Sequence, residues 1–89
     1  MIDIKELTDK ISKVCELKKW NKDWLRGGCY IHLEVSEFIE SLRGKGGDPP
    51  EKEAADVMFT LLAVMDHYDI AMDTVLEHLN DIVNEQLQT

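Results

Sequence analysis

The sequence predicts an all-α fold, an antiparallel four-helix bundle, from three observations. Apolar residues recur every three or four positions through most of the 89-residue chain, which is the spacing of amphipathic helices. The strongest helix breakers are gathered at Gly27–Gly28 and between Gly44 and Pro50. No segment alternates polar and apolar residues as a half-buried strand does. Four helices with short connections pack most simply as antiparallel neighbours.

The first helix is predicted over roughly residues 2–19, where the apolar positions step by three and four: Ile4, Leu7, Ile11, Val14 and Leu17. Residues 20–28 are predicted to form a loop because they include the paired glycines. The second helix is predicted from about residue 29 to 43. Gly44 follows it in a position suited to a left-handed C-cap.

The third helix is predicted to begin with Asp48 as its N-cap and a proline in its first turn. It should extend to about Tyr68 with a broad apolar surface. A short break at Asp69–Ile70 then precedes a fourth helix, which has an apolar face of its own: Met72, Val75, Leu76, Leu79, Ile82 and Val83.

Composition favours one globular domain over residues 1–89, with 44% hydrophobic and 31% charged residues. No apolar run approaches the roughly 18 residues of a membrane span. The first residues lack the features of a signal peptide, and two cysteines outside a CxxC spacing suggest reduced thiols. We therefore expect a cytoplasmic protein without a membrane partner.

Charge is unevenly distributed within a net charge of −8. All ten Lys and Arg residues lie between Lys5 and Lys52, whereas the segment from Glu53 to Thr89 has eight acidic residues and no Lys or Arg. A chain of this charge would repel nucleic acid, which argues against a DNA- or RNA-binding module. A small anionic substrate remains compatible if a metal ion supplies positive charge.

Two acidic pairs are the most informative motifs, and each has i, i+3 spacing: Glu34 with Glu37, and Glu53 with Asp56. Side chains at this spacing share one face of a helix. The second and third helices should form a hairpin, and both pairs are at similar distances from its loop. We therefore expect the four carboxylates to lie close together, where their repulsion calls for a cation.

An all-oxygen ligand set favours Mg²⁺, with Mn²⁺ as the alternative. A di-iron bundle would need Glu-x-x-His motifs on two helices, and none of the three histidines completes one. The competing interpretation is that such acidic pairs simply lie on a solvated helix face.

The pattern Glu34-x-x-Glu37, fifteen intervening residues and Glu53-x-x-Asp56 resembles the signature of the MazG-like all-α nucleoside triphosphate pyrophosphohydrolases. The apolar segment 57–62 also resembles the family, and the resemblance extends from about Trp20 to the end of the chain. Members are metal-dependent enzymes that hydrolyse the α–β phosphate bond of nucleotides to a monophosphate and pyrophosphate. They assemble as dimers or dimers of dimers.

The resemblance implies that Glu34, Glu37, Glu53 and Asp56 hold Mg²⁺. It also implies that one carboxylate activates the attacking water, and Glu37 is our candidate for this catalytic role. Glu40 extends the motif, although a surface ion pair with Arg43 accounts for this residue more simply.

Five further residues are candidates for substrate binding by the same resemblance: Trp20, Trp24, Arg43, Lys45 and Asn84. The two indoles could stack on a base, or they could close the open end of the bundle. The two basic residues could contact phosphate, or they could complement a helix C-terminus. The last helix lacks the Lys and Arg that many relatives use to hold phosphate.

Two other functions remain open from the sequence. One is a non-catalytic helical assembly protein that retains the scaffold, which the missing cations favour. The other is an enzyme similar to phosphoribosyl-ATP pyrophosphatase, although its additional motif residues are not evident. We expect an oligomer, because an 89-residue chain buries little apolar surface and its last two helices have wide apolar faces. The resemblance implies that this oligomer is a homodimer or a dimer of dimers.

Overall fold

The structure is a computed structural model that describes residues 1–18 and 24–88, with side chains described for residues 1–18 and 30–88. The described residues form four α-helices: α1 (Ile4–Lys18), α2 (Trp24–Leu42), α3 (Pro50–His67) and α4 (Met72–Gln88). No strand occurs among these residues. The predicted all-α class and the number of helices are confirmed.

The core lies where α1 and α2 pack against α3. Its buried centre comprises Ile11 and Cys15 from α1 and Ala63 from α3, with Phe59 and Leu62 packed beside them. This is a small core, since no described large side chain is fully buried. The fold therefore has only a limited apolar contribution to its stability from within one chain.

The fourth helix does not join this core. Among the described residues, α4 packs against none of the other helices and buries none of its own side chains. Its first residue, Met72, borders a shallow groove that α1 and α3 also line. Among the described residues the helix packing thus comprises α1 and α2 against α3, and a four-helix bundle that includes α4 stays a prediction.

The junction between α2 and α3 ends α2 as predicted. Gly44 has φ of +74°, and its N–H donates to the Ser41 carbonyl at 3.1 Å. The Lys45 N–H donates to the Glu40 carbonyl at 3.0 Å, which completes a Schellman motif. The same motif ends α3, with Asp69 at φ of +54° in the left-handed position.

Two boundary predictions were wrong. Helix α2 begins at Trp24, so part of the predicted loop 20–28 is helical. Paired glycines weaken a helix by about 1 kcal/mol each relative to alanine, but unlike proline they keep the backbone hydrogen bonds. The N-cap of α3 is Pro49 and not Asp48, because a residue that precedes proline favours the extended backbone that a cap requires.

Candidate metal centre

The candidate centre combines carboxylates from two helices. Glu34 and Glu37 lie one turn apart on α2, and Glu53 lies in the first turn of α3. One carboxylate oxygen from each of the three lies within 4.8 Å of the others. The hairpin created by the Gly44 turn brings them together, as the i, i+3 spacing and the short loop predicted.

Glu53 is the most enclosed member of this group. Glu53 is only 8% exposed, and its Oε2 is buried without a hydrogen-bond partner among the described residues. A buried charged oxygen with no partner is unfavourable unless a cation or donor satisfies it. The three glutamates therefore fit a hard divalent cation, which prefers carboxylate oxygen ligands.

The local electrostatics favour binding of a cation. The pKa of Glu34 is raised, first by desolvation and then by the neighbouring negative charges of Glu37, Asp56 and Glu53. The pKa of Glu53 is raised by desolvation and by its acidic neighbours as well. Both carboxylates are thus held in an environment that opposes their ionised form, and a bound cation would relieve that opposition.

Asp56, the fourth predicted ligand, is engaged elsewhere. Both of its carboxylate oxygens accept hydrogen bonds from Lys52 Nζ at 2.8 Å, one helical turn away on α3. Asp56 is not part of the cluster of three glutamates that the described residues form, although it lies near enough to raise the pKa of Glu34 and Glu53. The structure therefore brings three of the four predicted ligands into one group.

A cleft of about 400 Å³ opens beside the glutamates. Its lining includes Glu37, Glu40 and Glu53 together with Lys45, Gly46 and Gly47 from the α2–α3 loop. A Cβ added to either glycine would meet no atom within 4 Å, so the space beside both glycines is open. Of the two predicted basic residues, Lys45 is thus placed beside the carboxylates.

The other basic residue, Arg43, points to a surface partner. Its Nη1 lies 3.5 Å from Glu40 Oε1, and both side chains are exposed. This long, solvent-exposed ion pair is the one predicted from the sequence as the alternative to a role of Glu40 in the acidic motif. The structure does not bring the Arg43 guanidinium into the cleft.

The remaining substrate-binding candidates are not brought to the centre by the described residues. Asn84 is exposed on α4, which does not pack against α2 or α3. Trp20 lies outside the described residues, and so does the side chain of Trp24, whose backbone begins α2.

Sequence reasoning missed the ion pair of Lys52 with Asp56. The signal was available in the i, i+4 spacing of Lys52 and Asp56, which places a cation and a carboxylate on one helix face. It also missed that the two loop glycines would form a wall of the cleft.

Comparisons of the chain with protein-family models, with curated proteins and with solved structures found no match. In the part of the chain that the structure describes, no helix combines the length and the hydropathy needed to cross a membrane.

Proposed function

We propose that the protein is a Mg²⁺-dependent nucleotide pyrophosphohydrolase of the MazG-like type, which hydrolyses the α–β phosphate bond of nucleoside triphosphates. The observation that carries the proposal is the group of three glutamates from α2 and α3, with ligand atoms within 4.8 Å of one another. The buried, unpartnered Glu53 Oε2 supports it independently, because such an atom needs a positive partner. Mn²⁺ is an alternative metal of the same ligand preference.

Each acidic residue has a defined role in this proposal. Glu34, Glu53 and Glu37 hold the metal from two helices, and Asp56 completes the set by turning from Lys52. When bound, Mg²⁺ would acidify a water molecule and offset the negative charge of the phosphates. Glu37, which is exposed and lines the cleft, orients the attacking water and accepts its proton.

The cleft beside the glutamates is the proposed position of the triphosphate. Lys45 contributes positive charge there, and the two glycines leave room for phosphate oxygens to approach the backbone. The indoles of Trp20 and Trp24 remain candidates for stacking on the base, and Arg43 and Asn84 remain weaker candidates for contacts with the substrate. We expect a cytoplasmic enzyme that acts on small nucleotides.

We also propose that the protein is a homodimer, or a dimer of dimers, through the apolar stripe on α4. Its members are all exposed: Leu76, Leu79, Ile82, Val83 and Leu87. The accessible surface of the chain is 7305 Å², whereas a compact monomer of its mass should expose about 5,300 Å². The surplus is about 2,000 Å² per chain, or about 4,000 Å² for a pair of chains, which is in the range that permanent homodimers bury in total. A second copy is therefore the proposed occupant of this stripe.

Pyrophosphate release tests the function. The purified protein, with MgCl₂, is incubated with a panel of ordinary and modified ribo- and deoxyribonucleoside triphosphates, and pyrophosphate and orthophosphate are measured separately. We expect pyrophosphate and a nucleoside monophosphate from at least one substrate, and no turnover in EDTA.

The Glu53→Gln variant should lose this activity. The Glu51→Gln variant should retain it, because Glu51 is exposed on the same helical turn. Orthophosphate as the product, or no turnover of any substrate, would overturn the proposal.

A second candidate function is a non-catalytic assembly protein built on the same scaffold. The exposed stripe on α4 and the lack of any Lys or Arg after Lys52 favour it. Calorimetry with Mg²⁺ and a non-hydrolysable nucleotide separates the two functions. Metal-dependent nucleotide binding that is lost in Asp56→Asn supports the enzyme, whereas a stable dimer without nucleotide binding supports the assembly protein.

A further inference from the structure

Lys52 is a described basic residue close to the glutamates. Its Nζ donates to both oxygens of Asp56 at 2.8 Å, a two-point contact that occupies the edge of the carboxylate between the two oxygens. Lys52 and Asp56 remain partly exposed, so the pair stands at the rim of the centre and not inside it. The ammonium is thus held at a fixed place by one partner while water still reaches it.

The pair is electrostatically connected to the proposed metal ligands. The positive charge of Lys52 acts on both Glu34 and Glu53, and the negative charge of Asp56 acts on the same two residues in the opposite direction. The ammonium therefore already serves as a counter-ion for the acidic cluster. Any cation that recruits Asp56 to the cluster must compete with this ammonium for the same carboxylate edge.

Displaced from Asp56, the Lys52 ammonium would remain at the rim on a flexible four-carbon stem. The chain has no Lys or Arg after this position, so α4 offers neither of these residues to a phosphate. Lys45 lies on the loop side of the cleft, and Lys52 belongs to the helix that carries Glu53 and Asp56. A triphosphate at the centre would then have two lysines available from different directions.

We propose that Lys52 is an exchangeable counter-ion, which pairs with Asp56 until that carboxylate joins a bound divalent cation and then contacts a phosphate of the nucleotide. The proposal rests on the proposed function, and it assigns this function a phosphate-binding residue outside α4. In this role Lys52 opposes binding of the metal alone and favours binding of the metal together with nucleotide.

Two binding measurements test these opposite effects. Isothermal titration calorimetry with MgCl₂ alone should show that Lys52→Gln binds the metal more tightly than wild type, by about fivefold or more. With saturating MgCl₂, the same variant should bind α,β-methylene-ATP roughly tenfold more weakly. Lys52→Arg keeps the charge and should preserve most of the nucleotide affinity.

Two controls separate ion-pair exchange from a general change in charge. Lys45→Gln removes the same charge beside the cleft without touching Asp56, so its effect on the affinity for MgCl₂ alone should be smaller than that of Lys52→Gln. In an Asp56→Asn background, Lys52→Gln should tighten metal binding much less than it does with Asp56 present, because only the longer-range charge on Glu34 and Glu53 is then removed, and a double-mutant cycle measures the difference. Equal effects of the two lysine substitutions, or an undiminished gain in the Asp56→Asn background, would overturn the proposal.

The two proposals fail in different ways. If wild type neither binds MgCl₂ nor releases pyrophosphate, the proposed function is wrong. If wild type does both but Lys52→Gln leaves the affinities for metal and nucleotide unchanged, the function stands and the role of Lys52 is wrong.

Discussion

Glu53 on α3 places a carboxylate oxygen within 4.8 Å of one from Glu34 on α2, and the Glu53 Oε2 is buried without a described partner. The hairpin turn at Gly44 holds these two acids together against their own repulsion. We expect such an arrangement to lower the stability of the fold, and a cation bound there would offset that loss. Stability with and without metal is therefore a direct readout of the centre, independent of any activity.

We predict that Glu53→Gln raises the thermal stability of the protein at pH 7 in EDTA, because it removes a desolvated charge from an acidic cluster. Wild type should instead gain thermal stability when MgCl₂ is added. A ligand at about 100 times its Kd contributes about 2.7 kcal/mol, or roughly 10–20 °C in Tm for a domain of this size. Differential scanning calorimetry with and without MgCl₂ measures both effects.

Glu51→Gln is the matched control, since Glu51 is exposed in the same turn of α3. It should leave both the Tm in EDTA and the gain from MgCl₂ close to those of wild type. If Glu53→Gln responds to MgCl₂ as strongly as wild type, Glu53 is not a ligand.

The pH dependence of stability provides a second test in the absence of metal. The folded protein raises the pKa of Glu34 and Glu53, so the folded state holds these protons more tightly than the unfolded state does. Their contribution to stability is therefore fully present below the unfolded pKa of about 4.3 and is lost as the pH rises through the raised folded value.

We expect the difference in free energy of unfolding between wild type and the Glu34→Gln/Glu53→Gln double variant to grow in favour of the variant as the pH increases from about 4 to 7. Urea denaturation in EDTA at several pH values measures this difference. The other acidic groups are present in both proteins, so their contribution to the pH dependence cancels. A difference that is independent of pH would show that the two carboxylates are not perturbed in the folded state.

Gly44 and Asp69 occupy the same left-handed position in two helix C-caps, and we predict different effects on stability when each is replaced. Gly44 and Asp69 both have left-handed backbones, at φ of +74° and +54°. Gly44→Ala should destabilise the fold by about 1–2 kcal/mol, because a Cβ is disfavoured in this conformation. Asp69→Gly should not destabilise it, since glycine adopts the same backbone without that penalty. Urea denaturation of both variants checks the signs, and similar losses in the two would contradict the prediction.

These caps also show what the sequence could and could not predict. Gly44 was identified because glycine after an apolar helix is a strong local signal, whereas Asp69 marked only a break, since aspartate adopts this backbone less commonly. The acidic group was predictable because i, i+3 spacing and a short hairpin together fix the relative heights of Glu34, Glu37 and Glu53. The ion pair of Asp56 with Lys52 was indicated by its i, i+4 spacing, but spacing alone does not decide which of two groups a carboxylate contacts.

The position of α4 was beyond prediction for a different reason. Its apolar period correctly indicated a helix with one apolar face, but periodicity does not say which surface covers that face. Within the described residues, α1, α2 and α3 leave it uncovered. In the proposed dimer a second copy of the chain would cover Leu79 and its neighbours. The apolar pattern of the sequence does not distinguish packing within one chain from packing between two copies.

Disruption of the α4 stripe provides the last prediction. Leu79→Asp places a charge in the middle of the stripe, and burial of that charge against a second copy would be strongly unfavourable. We expect the variant to shift from dimer to monomer in sedimentation velocity at micromolar concentration, and its helical circular dichroism to fall as unsupported α4 unwinds. Thr74→Asp adds the same charge on the opposite face of α4, about 140° away by the helical period, and should leave the dimer intact. If wild type sediments as a monomer with α4 fully helical, the stripe is not a self-association surface. If Leu79→Asp remains as dimeric as Thr74→Asp, two copies associate through another face.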